Sequence, residues 1–201
     1  MEVRQATESD IEAIVVIHIA AFQGFFLTLL GPSFLKSLYM AFLKREYGIL
    51  RVAITEQDKV VGFAAGTSLP QSFFSQLRKE QWVSFLLKAL PSLLIKPTLV
   101  IKKLYFALFY KGDKPATLSD VSLLSSIAVL PDLAGKSVGK LLINDFEAQV
   151  KVAGSRALYL TTDKVGNDKV VFFYERVGYQ IECEFKQPSG REMLRLIKYL
   201  K

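Results

Sequence analysis

Among its 201 residues the chain has one cysteine, Cys183, and one histidine, His18. A lone thiol cannot close an internal disulfide, and one Cys with one His cannot assemble a zinc site, so no metal is expected and a reducing compartment is. The N-terminus lacks a basic leader followed by an apolar stretch. It carries Glu2, Arg4, Glu8 and Asp10 instead, which does not read as a signal peptide, and a cytoplasmic protein is expected. Regular nucleic-acid modules, internal repeats and low-complexity tracts are missing too. DNA or RNA is therefore not expected as a partner, despite a pI near 9.4.

Charge is absent from one long run, 13–35, which is about long enough to cross a bilayer. Gln23, Gly24, Gly31 and Pro32 interrupt it, and Thr7-Glu8-Ser9-Asp10 in front reads as a capping box. Two buried helices joined by a glycine-flanked loop are expected instead.

What is present is globular: 51% hydrophobic and 22% charged residues, with a mean hydropathy of +0.28, fit a single domain with some greasy surface. Pattern and turn chemistry predict a strand at 3–6, helices at 8–22 and 33–44, and a hairpin of 50–55 with 60–68. A second half follows: strand 121–129, helix 137–153, strand 157–162, helix 168–177, and closing strands 179–185 and 193–199. Strand, helix, strand, helix implies a parallel pair with a right-handed crossover, and so a mixed α/β sheet. Between the halves lies a basic, leucine- and aromatic-rich helical insert at 71–114, expected to be broken at Pro91 and Pro97. Its Arg78, Lys79, Lys88, Lys96, Lys102, Lys103, Lys111 and Lys114 stand against Glu80 and Asp113, a net +6 of the chain's +7.

The segment Ser126-Ile127-Ala128-Val129-Leu130-Pro131-Asp132-Leu133-Ala134-Gly135-Lys136-Ser137-Val138-Gly139-Lys140 runs from a buried strand through a small-residue turn into an amphipathic helix. Such a turn aims free backbone N–H groups at one point, the helix dipole adds positive potential, and Lys136 and Lys140 add charge, as a pyrophosphate requires. An ordinary strand–turn–helix connection reads the same way. A Walker loop is excluded, because the two glycines stand one residue too close and Leu141 occupies the place of the hydroxyl.

Some thirty residues on comes Asn167-Asp168-Lys169-Val170-Val171-Phe172-Phe173-Tyr174-Glu175-Arg176-Val177-Gly178-Tyr179. Order and spacing from Val129 to Tyr179 resemble the GNAT superfamily of acyl-CoA N-acyltransferases. The resemblance implies a mostly antiparallel twisted sheet whose central parallel pair is splayed to admit CoA, with flanking helices. It also implies acetyl-CoA as co-substrate. Ile127 and Val129 would pair with pantetheine. The N–H groups of Ala134, Gly135, Ser137, Val138 and Gly139, with Lys136 and Lys140, would hold the pyrophosphate, and Asn167, Phe173 and Tyr174 would line the arm. Two departures stand out: Ala134 replaces the family's usual Gln or Arg, and Ser137 its usual Gly. Ser137 is expected to offer its hydroxyl as an N-cap or to phosphate.

Acyl transfer to an amine needs a neutral nitrogen, a donor for the oxyanion and a proton for the leaving thiolate. The resemblance assigns the oxyanion to the Val129 N–H and the thiolate proton to Tyr174, whose phenol pKa of about 10 lies close to a thiol's of about 8.5. Ser125 could orient a water, leaving deprotonation to solvent. His18, inside an apolar helix, reads as a packed imidazole. Phe25, Phe26 and Thr28 fall where the family builds its acceptor wall. That block resembles members that acetylate amino sugars on nucleotide carriers. The insert could serve a nucleotide-sugar diphosphate or make peripheral contact with an anionic membrane, the inner surface included. A peptide acceptor, an idle acyl-CoA-binding module, and the choice of monomer or homodimer stay open.

Overall fold

The computed structural model describes residues 1–95, 121–187 and 190–200. Among these, seven strands form one sheet: β1 (Glu2–Gln5), β2 (Gly48–Ile54), β3 (Val60–Thr67), β4 (Val121–Val129), β5 (Ala157–Asp163), β6 (Gln180–Lys186) and β7 (Glu192–Tyr199), in the order β1-β2-β3-β4-β5-β7-β6. Every pairing is antiparallel except β4 with β5. The mixed sheet and its single parallel pair are as the sequence pattern implies.

Helices cover both faces. On one lie α1 (Ile11–Ala21), α2 (Phe26–Leu29), α3 (Pro32–Lys44) and α4 (Pro70–Ile95); on the other lie α5 (Val138–Val152) and α6 (Asp168–Arg176). Alternation along β3 divides the core: Phe63 and Ala65 face α1 and α3, and Ala64 faces α5. Ala128 on β4 joins the α1/α3 side, with Ile127 and Val129 packed on the α5 side. Leu142, Phe146 and Val150, one turn apart, give α5 its fully buried stripe.

The charge-free run 13–35 folds as two core helices, with the four-residue α2 between them that the sequence pattern did not predict. Asp10 takes the N–H of Thr7 at 2.7 Å and is paired with Arg4 at 2.7 Å, fixing the start of α1. Among the described residues no helix is long and apolar enough to cross a membrane.

The insert corrects one expectation: α4 continues past Pro91. A proline inside a helix costs about 3 kcal/mol. Burying an aromatic side chain stabilises by roughly 1.5–3 kcal/mol, and α4 buries Phe73 against Phe42 (4.8 Å between ring centres) and Phe85 against Phe34 (4.9 Å). The rest of the insert, with Pro97, Lys96, Lys102, Lys103, Tyr105, Lys111 and Lys114, lies outside the described residues, as does the side chain of Trp82.

Candidate active site

β4 and β5 pair only at Val121, Ser122 and Leu123, opposite Ala157, Leu158 and Tyr159, and then part. The cause is local. Ala65 of β3 faces Ser126 and Gly66 faces Leu124, so Ser125 is an extra, exposed residue in a β-bulge that turns β4 away. Gly66 makes the bulge feasible, since a Cβ there would lie 2.1 Å from the Leu123 carbonyl oxygen.

Past the bulge, β4 keeps β3 on one side and loses β5 on the other. Leu130 donates its N–H to Val61 O at 2.9 Å, and alternation gives Ala128 and Ser126 the same sense. The N–H and C=O groups of Ile127 and Val129 therefore point into the gap. That is the backbone edge an extended amide-bearing arm can pair with.

At the end of β4, Pro131–Leu133 form a 3-10 turn, with Ala134 N–H donating to Pro131 O (3.1 Å) and Lys136 N–H to Leu133 O (3.2 Å). The turn then reverses through two left-handed residues, Gly135 (φ 80°) and Ser137 (φ 64°). The first bond closing α5 runs from Leu141 N–H to Ser137 O. Among the described residues, the N–H groups of Gly135, Ser137, Val138, Gly139 and Lys140 thus have no backbone acceptor. Alternating left-handed residues at a helix N-terminus make a concavity of donors suited to a phosphate. The residues present fit a CoA diphosphate, with Lys136 and Lys140 exposed beside the turn.

Two expectations change here. The Ala134 N–H is already engaged by Pro131, which removes it from the free donors. The Ser137 hydroxyl caps nothing: the residue stands at the N-cap of α5 in the left-handed region without a side-chain cap bond, because a β-region backbone is what brings a serine hydroxyl to the helix N–H groups.

α6 closes the gap's other side. Asn167 gives both amide hydrogens to β5's end, to Thr162 Oγ1 at 2.7 Å and Asp163 O at 2.9 Å, so only its carbonyl oxygen is left for a ligand. Phe173 is half-buried, its ring lying on the first turn of α5, 3.5 Å from where a Cβ on Gly139 would be. Tyr174 is the buried residue of α6 and packs in one cluster with Val138, Leu142, Ile127 and Val129. Its ring stands edge-on to Phe173 and Tyr179. Burial pushes its phenol above the usual range, so it keeps its proton. A thiolate in the same dry place rises as well, which preserves the match in proton affinity.

Beyond the open end, the loop before α2 meets the β6–β7 connection. Arg191 grips Asp163, the last residue of β5, through Nη2 (2.6 Å) and Nε (3.0 Å) and lies 5.3 Å from the centre of the Phe25 ring. Of the three residues expected at the acceptor wall, Phe25 is exposed (42%), Phe26 packs on the α1/α3 core, and Thr28 donates its hydroxyl to Phe22 O at 2.6 Å. Of the three, Phe25 is the exposed one, its ring held between Arg191 and Phe22. Neither the Phe25–Arg191–Asp163 bridge nor the hydrogen bond between His18 Nδ1 and Tyr39 Oη (2.6 Å) is visible in the sequence, because their partners are far apart in it.

Residues 102–179 match the model of the Acetyltransferase (GNAT) family. No curated protein matches the chain by sequence. Among solved structures, a ribosomal-protein-alanine N-acetyltransferase from Brucella melitensis superposes with a TM-score of 0.63 at 16% identity, over 100% of both chains. Ard1 from Thermoplasma volcanium gives 0.63 at 12% identity, over 99% of this chain and 97% of that one. Naa20 from Chaetomium thermophilum, solved in complex with a bisubstrate analogue, gives 0.62 at 15% identity, over 100% of this chain and 87% of that one. At such identities the likeness is one of fold.

Proposed function

We propose that the chain is a GNAT-type acetyltransferase that uses acetyl-CoA to acetylate the primary amine of a small molecule, an amino sugar or nucleotide-linked amino sugar; the family match over 102–179 and the shared fold support the first part of this reading. The observation that carries the choice of a small acceptor is the Phe25–Arg191–Asp163 bridge, which ties the loop before α2 to the β6–β7 connection at the C-terminal end of β5. A contact of that kind restricts an extended peptide more than it restricts a small amine.

In this reading the pantetheine arm pairs with Ile127 and Val129 in the gap, and the diphosphate takes the free N–H groups of 135–140. The neutral amine attacks the thioester carbonyl, and the Val129 N–H receives the developing oxyanion. The C–S bond then breaks, the Tyr174 hydroxyl gives its proton to the thiolate, and the new amide's surplus proton leaves to solvent, by a water at Ser125.

A peptide N-terminus is the second reading, supported by the names of fold neighbours that acetylate proteins. Mass spectrometry of acetyl-CoA reactions with amino-sugar nucleotides, polyamines and peptides decides between them. Acetylated amino sugar supports the first reading, and acetylation of peptides alone overturns it.

A further inference from the structure

Lys198 of β7 stands on the same face of the strand as Leu194 and Leu196, which pack into the core shared with α5 and α6. Its Nζ donates to both oxygens of Glu147 on α5, at 2.9 Å (Oε1) and 2.7 Å (Oε2), and to the carbonyl oxygen of Val177, just past the end of α6, at 2.7 Å. All three ammonium hydrogens are thereby used. Glu147 is buried and Lys198 half-buried. The lysine stem runs close to Gly178, where a Cβ would lie 3.3 Å from Lys198 Cε, and the ammonium lies 5.7 Å from the centre of the Tyr179 ring.

The end of α6 is a Schellman turn. Gly178, at φ 94°, gives its N–H to Glu175 O (3.0 Å), and Tyr179 gives its N–H to Tyr174 O (3.0 Å). This closure sets the Tyr179 ring edge-on to the Tyr174 ring, 5.5 Å between centres. It also leaves the Val177 carbonyl at the negative pole of the helix, where a cation is drawn.

A buried ion pair is a poor source of stability, because desolvating both charges offsets most of their attraction and apolar side chains of similar size do as well. β7 fills its neighbouring positions on this face with leucine. What a leucine cannot do is hold two helices at hydrogen-bond distance from one group. α5 begins at the donor-rich turn and α6 carries Tyr174, so their relative setting decides where the hydroxyl stands against a CoA bound by its diphosphate.

We propose that Lys198 and Glu147 are positioning residues for acyl transfer: their ion pair, bonded also to Val177 O, sets α6 against α5 and through the Schellman turn fixes the Tyr174 ring beside the gap. This rests on Tyr174 being the proton donor to the thiolate. Neither side chain exchanges a proton in the cycle. Losing the pair displaces Tyr174 and slows proton transfer, while the grip on CoA, which belongs to backbone N–H groups, stays as it was.

Glu147→Leu/Lys198→Met removes both charges together, so no buried charge is orphaned and the fold is kept. With acetyl-CoA and glucosamine, and the other amines of the acceptor screen, this variant should lose about tenfold in kcat, with the acetyl-CoA KM and the calorimetric affinity for coenzyme A unchanged. Added to Tyr174→Phe it should cost nothing further, because the pair acts through that hydroxyl. Glu147→Gln, which keeps an oxygen for the ammonium, should retain most of the activity that Glu147→Leu loses. Full kcat in Glu147→Leu/Lys198→Met, a loss that multiplies with that of Tyr174→Phe, or a change confined to the acetyl-CoA KM overturns the proposal.

A second readout needs no turnover. In protein labelled with 13C on its tyrosine rings, the Tyr174 signal, identified by its absence in Tyr174→Phe, should be displaced in Glu147→Leu/Lys198→Met. An unmoved signal overturns the proposal. If no amine turns over, the reaction reading fails by itself, and the ring signal alone decides whether the pair sets Tyr174: displaced, it does; unmoved, it does not.

Discussion

Leu123 faces Tyr159 at the last step where β4 and β5 run paired, and two residues on, the Ser125 bulge turns β4 away from its neighbour. That parting leaves a free backbone edge at Ile127 and Val129, which leads into the donor-rich turn after Pro131.

Gly66 permits the bulge, so Gly66→Ala should damage both stability and site. A Cβ 2.1 Å from a backbone oxygen and 2.7 Å from Phe146 Cζ forces the strands apart. Overpacking of this kind costs about 1–3 kcal/mol. Chemical denaturation should show that loss together with weakened CoA binding.

Tyr174→Phe removes one hydroxyl from a packed ring and should leave the fold intact. Turnover should fall on the order of a hundredfold, as for a lost general acid, with CoA affinity unchanged. Equal turnover in the variant, measured by thiol release, would remove Tyr174 from the chemistry.

Ser137 holds a left-handed backbone, φ 64°, and its hydroxyl caps nothing. That conformation costs a non-glycine residue roughly 1–2 kcal/mol, and glycine's extra freedom in the unfolded chain returns part of it. Ser137→Gly should therefore raise stability by roughly 0.5–1 kcal/mol, read as a higher thermal midpoint, and keep CoA binding.

Burial lowers His18 from its ordinary 6.5 to about 4. The unfolded chain thus takes up a proton that the folded one refuses, so stability falls as pH drops from 6.5 and levels off near 4. About 2.5 pH units at 1.36 kcal/mol each make roughly 3 kcal/mol. Denaturation midpoints across this window should slope in the native protein and flatten in His18→Asn. An equal slope in both would place the titrating group elsewhere.

Strand and helix positions were legible because they rest on local pattern. β4 was read at Val121–Val129, its observed bounds, and α5 within a residue at each end. The bulge was not legible. It depends on Gly66 meeting Leu123, a contact across the sheet that no spacing announces. The N–H groups of Gly135, Ser137, Val138 and Gly139 named from the motif have no backbone acceptor, but the free N–H of Lys140, the left-handed backbone of Ser137 and the engaged N–H of Ala134 are properties of the folded turn. His18 read as a packed imidazole from its apolar neighbours, and its bond to Tyr39 appears only once α1 and α3 cross. Continuation of α4 through Pro91 likewise needed the packing of Phe73 and Phe85, which local propensity does not contain.

The most direct test of the account is the amide spectrum of the 15N-labelled protein titrated with coenzyme A. The account expects the N–H signals of Gly135, Ser137, Val138, Gly139 and Lys140, with those of Ile127 and Val129, to shift together and saturate at one ligand per chain. Signals at these seven positions that stay in place while coenzyme A is saturating would contradict it.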